Sequence, residues 1–135
     1  LSKLSMTQAQ DTTLVVLANA PLDVRVASAL QSAAQALGYA DGCAIVQLSE
    51  VGDLKRFVFE ADPWSLIAID DASIDALRGA FDLDEQAFAA DVPAHVTGYR
   101  LVAVPGFAAC LDAPDAKRVA WARMQAAAHP GNPLD

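Results

Sequence analysis

Two adjacent carboxylates are the most evident candidates for chemistry in this sequence. Asp70 and Asp71 directly follow the apolar run Trp64–Ile69, and Glu50 follows another apolar run. Carboxylates at a strand end can hold Mg²⁺ or act as general acid and base. The alternative role is structural, because an acidic residue at a helix start caps free N–H groups and favours the helix dipole. We favour the structural role; if the protein is an enzyme, these three residues are its catalytic candidates.

Histidine and cysteine are too sparse for the usual nucleophilic or metal chemistry. The chain has two of each, His95, His129, Cys43 and Cys110. Neither cysteine lies in a Cys-x-x-Cys pair, so we predict no metal site and no cofactor. His95 precedes the fourth apolar run and His129 follows the last predicted helix, which places neither beside a nucleophile at a strand end. Two reduced thiols are typical of a cytoplasmic protein, and we expect that location.

The charged residues limit the partners of this protein. The net charge is -8, which repels phosphate at long range and predicts at most weak nucleic-acid binding. Nine acids and one base lie between Glu60 and Asp91, and the rest of the chain is balanced. The acidic segment suits a basic protein partner. The basic residues of the last predicted helix, Lys117, Arg118 and Arg123, are candidates for a partner or phosphate contact.

Composition and hydropathy bound the class of protein. Hydrophobic residues make up 54% of the chain, which excludes disorder as the main state. No apolar run approaches the ~20 residues of a membrane span, so no membrane association is expected. The loop Asn19–Leu22 contains no glycine, which excludes a dinucleotide fingerprint or a phosphate-binding P-loop there.

Apolar, β-branched runs alternate with amphipathic segments and predict an α/β fold. The four predicted strands are Thr12–Ala18, Cys43–Leu48, Trp64–Ile69 and Tyr99–Val104. Right-handed crossovers place helices on both faces of such a sheet. We predict a three-layer α/β/α sandwich with a four-stranded parallel sheet. The single domain would span residues 12–129, between a flexible leader (1–11) and a flexible tail (130–135).

Local signals predict where the helices and loops begin. Pro21 is expected to open the first helix and Ser49 to cap the second. Leu83–Ala90 is predicted to be a short helix and Val92–Gly98 a loop. In the last helix, which Pro114 opens, Val119 is expected on the apolar face.

Five segments in this order resemble a known family. They are Leu17–Pro21, Asp62–Ile69, Asp71–Ser73, Arg100–Val104 and Leu111–Trp121. They are similar, in turn, to the first motif Gly-Glu-Ala-Pro-Gly, a Pro-led apolar strand, a small loop before an Ala-rich helix, the closing strand, and a final Pro-x-x-Lys-Arg-x-x-Trp helix. This is the pattern of bacterial uracil-DNA glycosylases of the iron–sulfur type. The resemblance implies a uracil-DNA-glycosylase-like fold, with the four strands of the parallel sheet in the order 2-1-3-4.

The resemblance also implies that the catalytic positions are replaced. Asn19 stands where the family has an acid that positions or activates water, and an amide is no carboxylate base. Gly106 stands where the family has a histidine that stabilises the departing base, and Leu22 replaces a glycine that lets DNA approach. Two cysteines are too few for the iron–sulfur cluster. The motif-equivalent pocket would comprise Asn19, Ala20, Pro21, Leu22, Ser49, Asp70, Gly106 and Phe107.

A noncatalytic group of proteins is also similar in size and layout. The opening Leu-Val-x-x-Ala-Asn and the strand ending in Val-Gln-Leu resemble the psi accessory subunits of bacterial DNA polymerase III. The expected function is therefore a catalytically inactive, uracil-DNA-glycosylase-like domain that acts as a protein-binding or accessory module in DNA replication or repair. Two alternatives are an active DNA glycosylase or hydrolase that uses strand-end carboxylates, and a flavodoxin-like small-ligand binder.

Overall fold

The computed structural model describes residues 14–19, 21–39, 41–83, 94–96 and 99–128. The elements in chain order are β1 (Leu14–Ala18), α1 (Val24–Ala36), β2 (Cys43–Gln47), α2 (Leu54–Ala61), β3 (Ser65–Ala68), α3 (Asp71–Ala80), β4 (Ala94–Val96), β5 (Tyr99–Ala103), α4 (Phe107–Cys110) and α5 (Pro114–Met124). Single 3₁₀ turns follow β2 and α5. The predicted leader and tail lie outside the described residues, as does the predicted helix Leu83–Ala90 apart from Leu83.

The sheet confirms the predicted architecture and adds one strand to it. Its order is β2-β1-β3-β5-β4, and the first four strands are parallel. β5 is the predicted fourth strand, so the order 2-1-3-4 is confirmed. The predicted loop Val92–Gly98 is wrong, because it contains β4, which pairs antiparallel with β5. An edge strand has one neighbour and needs no long apolar run, so hydrophobic patterning does not reveal it.

Alternate residues of the sheet face two separate cores. Leu14 and Val16 of β1 face a first core that includes residues of α1, α4 and α5. Val15 and Leu17 face a second core that includes residues of α2 and α3. β1 is therefore buried on both faces, as its continuous apolar run predicts. The three-layer arrangement places α1, α4 and α5 on one side of the sheet and α2 and α3 on the other.

Two predicted helix starts are wrong for the same physical reason. α1 begins after Asp23 rather than at Pro21, and α2 is capped by Asp53 rather than Ser49. Each aspartate accepts a hydrogen bond from a backbone N–H in the first turn of its helix. A carboxylate directly before a helix accepts hydrogen bonds from backbone N–H groups of the first turn. Pro21 has no side-chain acceptor for these groups, and Ser49 lies too far from the start of α2. Ser49 instead lies in the 3₁₀ turn after β2.

No helix within the described part of the chain is long and apolar enough to cross a membrane.

Candidate functional site

Asp70 joins two strand ends at the carboxyl edge of the sheet. Its Oδ2 accepts a hydrogen bond from the backbone N–H of Asn19, after β1, at 2.8 Å. Its Oδ1 accepts one from the backbone N–H of Ser73, in the first turn of α3, at 2.9 Å. Both carboxylate oxygens therefore bind main-chain donors. The carboxylate caps α3 and holds the β1 loop, which is the structural role favoured from the sequence.

The other two candidate carboxylates lie in different surroundings. Asp71 is the exposed first residue of α3 and lines a cavity of about 360 Å³ between α3 and α5, together with Asp75, Arg78 and Arg123. Glu50 is exposed, and its Oε1 accepts a hydrogen bond from the backbone N–H of Gln47 at 3.2 Å. No cluster of three metal-ligating side chains occurs among the described residues. The structure thus gives Glu50 a local hydrogen bond at its own turn and places Asp71 at the edge of the cavity between α3 and α5.

Gly106 has a backbone conformation that favours glycine. It precedes α4 with φ of 71°, in the left-handed region that a side chain disfavours. A Cβ added there would meet no atom within 4 Å, so the backbone, rather than lack of space, opposes substitution. The next residue, Phe107, is buried in the first core. The turn at Gly106 and Phe107 therefore has a structural role and carries no reactive side chain.

The remaining motif-equivalent positions that the structure describes differ in their surroundings. Pro21 and Ser49 are exposed, and Leu22 packs partly against the first core. Ala20 lies outside the described residues. Asn19, Ser49 and Asp70 line neither the cavity between α3 and α5 nor the two grooves that border α5.

An apolar groove lies instead along α5. A groove of about 560 Å³ separates α5 from α1, and we call it the α1–α5 groove. It is lined by Ala29, Ala33, Phe107, Cys110, Leu111, Pro114, Lys117, Arg118, Ala120, Trp121 and Met124. A second groove, of about 500 Å³, lies between α5 and the β5–α4 connection. α5 therefore borders open apolar space on two sides.

The exposure pattern of α5 explains these grooves. Residues 112–119 are all exposed, and Ala120 and Met124 are the buried residues of the helix. Ala120 and Met124 are one turn apart and face the sheet. Val119, predicted on the apolar face, is 53% exposed, because each residue is rotated by about 100° from the next along a helix. The prediction for Val119 is wrong, and α5 touches the domain along a narrow stripe.

The three basic residues of α5 do not share one surface. Lys117 and Arg118 line the α1–α5 groove, whereas Arg123 lines the second groove and the α3–α5 cavity. Arg118 pairs with Asp115 at 2.6 Å. Lys117 makes no ion pair within the described residues. The rim of the α1–α5 groove thus carries a cation that no neighbouring carboxylate neutralises.

An ion pair closes one end of the same groove. Arg25 of α1 binds Asp112, before α5, at 2.8 Å, and its guanidinium also donates to the backbone carbonyl of Leu111. The hydrogen bond from Arg25 holds the pKa of Asp112 below its ordinary value. Both side chains are largely exposed, so the pair orients the loop rather than stabilising it strongly.

The two thiols are not poised for nucleophilic chemistry. Burial raises the pKa of Cys43 to about 12. Burial also raises the pKa of Cys110, and the charge of Lys117 only partly opposes that rise. The thiolate is the reactive form, so both cysteines are poor nucleophiles at neutral pH.

The sequence motif of the final helix ends in Trp121, but neither Trp121 nor the alanines of α1 were candidate site residues. The helical spacing of Ala29 and Ala33 indicates one helix face, but only the structure shows that this face lies across a gap from Trp121. Comparisons of the chain with protein-family models, with curated proteins and with solved structures found no match.

Proposed function

We propose that this chain is a catalytically inactive, uracil-DNA-glycosylase-like domain that acts as a cytoplasmic protein-binding or accessory module in DNA replication or repair. The observation that carries the absence of catalysis is the use of Asp70. Its two oxygens accept hydrogen bonds from the backbone N–H groups of Asn19 and Ser73. A general base needs a lone pair directed at a substrate proton, and here each oxygen already directs one of its lone pairs at a backbone donor of the fold.

The two motif-equivalent positions support the same proposal. Asn19 is exposed at the end of β1 and has an amide in place of a carboxylate. Gly106 lacks an imidazole, and its positive φ disfavours any side chain in its place. Neither position offers an acid, a base or a stabilising cation to a departing nucleobase.

The binding part of the proposal depends on the surface around α5. A helix that is exposed from residue 112 to 119 and borders two apolar grooves leaves nonpolar area open to solvent. Large exposed nonpolar patches mark interaction surfaces in proteins. A protein partner that covers this area is therefore the favoured ligand.

The activity is tested on uracil-containing single-stranded and double-stranded DNA. The purified full chain should release no more uracil than a buffer control. Release that Asn19→Ala abolishes would overturn the proposal. Release that Asp71→Asn or Glu50→Gln abolishes would favour the enzyme that uses strand-end carboxylates.

Binding is tested by affinity capture of the tagged full chain from an extract of the source cells. We expect a stoichiometric protein partner that survives nuclease treatment. Capture of no protein, or of nucleic acid alone, would contradict the accessory role.

A further inference from the structure

We propose that the α1–α5 groove binds an acidic amphipathic helix of a partner protein. This inference rests on the proposed function, because it names the surface and the chemistry of the partner. The groove has an apolar floor and a basic rim, and each feature restricts what can occupy it.

The size of the groove suits one face of a helix. Its lining residues on α5 extend from Pro114 to Met124, which at the helical rise of 1.5 Å per residue is about 15 Å, or close to three turns. A helix of that length and about 10 Å across occupies roughly 1,200 Å³, against the 560 Å³ of the groove. The groove therefore accepts the side chains of one helix face and leaves the other face in solvent. This is the geometry of helix-in-groove recognition.

A helix that binds to the apolar floor of the groove must present apolar side chains, which we call its anchors. Ala29 and Ala33 of α1 are one turn apart, and their small side chains leave the space that a partner's Leu or Phe would fill. Trp121 is half-buried on the opposite wall. Tryptophan is enriched among the residues that contribute most to binding energy. The anchors should therefore recur at i, i+3 or i+4, and i+7 along the bound helix.

The rim requires acidic residues beside those anchors. Lys117 and Arg118 border the groove, and Lys117 has no ion pair within the described part of the chain. The two sides of the sheet also differ in charge. Residues 53–82, which include α2 and α3, contain seven acids and three bases, whereas residues 21–39 and 104–128, which include α1, α4 and α5, contain three acids and four bases. An acidic segment is thus repelled by one side of the molecule and attracted to the groove side.

The probe for this proposal is a pair of fluorescein-labelled 12-residue peptides. Both have leucine at positions 3, 7 and 10, and the remaining positions are alanine with four glutamates in one peptide and four lysines in the other. Fluorescence anisotropy at low salt should show at least tenfold tighter binding of the acidic peptide, which is about 1.4 kcal/mol. In two-dimensional NMR spectra, the indole N–H of Trp121 should shift on binding, and that of Trp64 should not.

Charge reversal at the rim tests the role of the basic residues. The double variant Lys117→Glu with Arg118→Glu should bind the acidic peptide about tenfold more weakly, because it reverses the charge of Lys117 and removes the cation that offsets Asp115. Lys55→Glu is the matched control, since Lys55 is exposed on α2, on the opposite side of the sheet. It should change the affinity less than twofold. Circular dichroism checks that all variants remain folded.

Three results would overturn the inference. The first is equal binding of the two peptides, and the second is no shift of the Trp121 indole N–H. The third is a concentration-dependent dimer that the double variant abolishes, because a second copy of the chain would then occupy the groove. Affinity capture separates this failure from failure of the proposed function. If the double variant still captures the partner, the accessory role stands and the α1–α5 groove is not the binding site. If the wild-type chain captures no protein, the accessory role itself is contradicted.

Discussion

At the residue scale, one carboxylate connects three elements of the fold. Asp70 follows β3, binds the N–H of Asn19 after β1, and binds the N–H of Ser73 in α3. Parallel strands end at the same edge of a sheet, so a side chain after one strand can reach the loop after its neighbour. The same position is where an active site would lie in such a sheet. In this protein the Asp70 carboxylate, which lies where a catalytic group would be needed, is hydrogen-bonded within the fold.

Removing that carboxylate should destabilise the protein. We expect Asp70→Ala to lower the free energy of unfolding by about 2 kcal/mol, since a helix cap contributes about 1 kcal/mol and a further hydrogen bond a similar amount. Asp71→Ala is the control, because the adjacent exposed carboxylate contributes only about 0.5 kcal/mol through the helix dipole. Urea unfolding monitored by circular dichroism measures both. Equal losses for the two variants would contradict the structural role of Asp70.

The thiol of Cys43 should react slowly in the folded protein. With a pKa of about 12, its thiolate fraction at pH 8 is about 10⁻⁴, against about 10⁻¹ for a thiol of ordinary pKa. In the variant Cys110→Ala, alkylation of Cys43 by iodoacetamide at pH 8 should be about 10³-fold slower than in urea. The rate should rise about tenfold per pH unit up to pH 12. A native rate close to the unfolded rate would show that burial does not protect this thiol.

At the scale of elements, α5 combines weak packing with strong exposure. Its buried residues, Ala120 and Met124, lie on one stripe, and its first two turns contact solvent on all sides. The small side chain of Ala120 lets the helix approach the sheet, but it fills little of the space beside it. The two grooves result from that combination.

Placing the same side chain at two adjacent positions tests this account of α5. Val119→Gln should change the free energy of unfolding by less than about 0.5 kcal/mol, because the position is exposed. Ala120→Gln should cost about 2–3 kcal/mol, since it forces a larger polar group into the first core. Urea unfolding of both variants gives the comparison. Similar costs at the two positions would place Val119 in the core after all.

Elements buried on both faces could be predicted from sequence, and surfaces formed between elements could not. β1 and the inner residues of β3 and β5 are apolar, so these strands and their parallel arrangement follow from local pattern and handedness, whereas the strand order follows only from the family resemblance. β4 lacks such a pattern because it pairs on one edge only. Asp70 was identified as a strand-end residue with a capping role. Its bond to Asn19 spans 51 residues of sequence, and the α1–α5 groove joins helices still farther apart, so no local pattern reports either of them.

At the scale of the whole molecule, the two cores share the same strands. Successive residues of β1 alternate between them, so the sheet cannot lose one core while keeping the other intact. Contacts near the end of the described chain add to this coupling. The hydroxyl of Tyr39 donates to the carbonyl of Ala127 at 2.6 Å, and Arg100 donates to the carbonyl of Ala126 at 2.8 Å. The turn after α5 is thereby attached both to the chain beyond α1 and to β5.

The two layers should therefore unfold together, and the two tryptophans can report on them separately. Trp121 packs against the first core, and Trp64, which is 40% exposed, connects α2, a helix of the second core, to β3. In the single-tryptophan variants Trp64→Phe and Trp121→Phe, urea unfolding followed by fluorescence should coincide with unfolding followed by circular dichroism. For a domain of this size, the dependence on urea should be about 1–3 kcal/mol per molar. If fluorescence changed at a urea concentration about 1 M below the loss of circular dichroism in either variant, the layer around that tryptophan would unfold independently, and the shared sheet would not couple the cores.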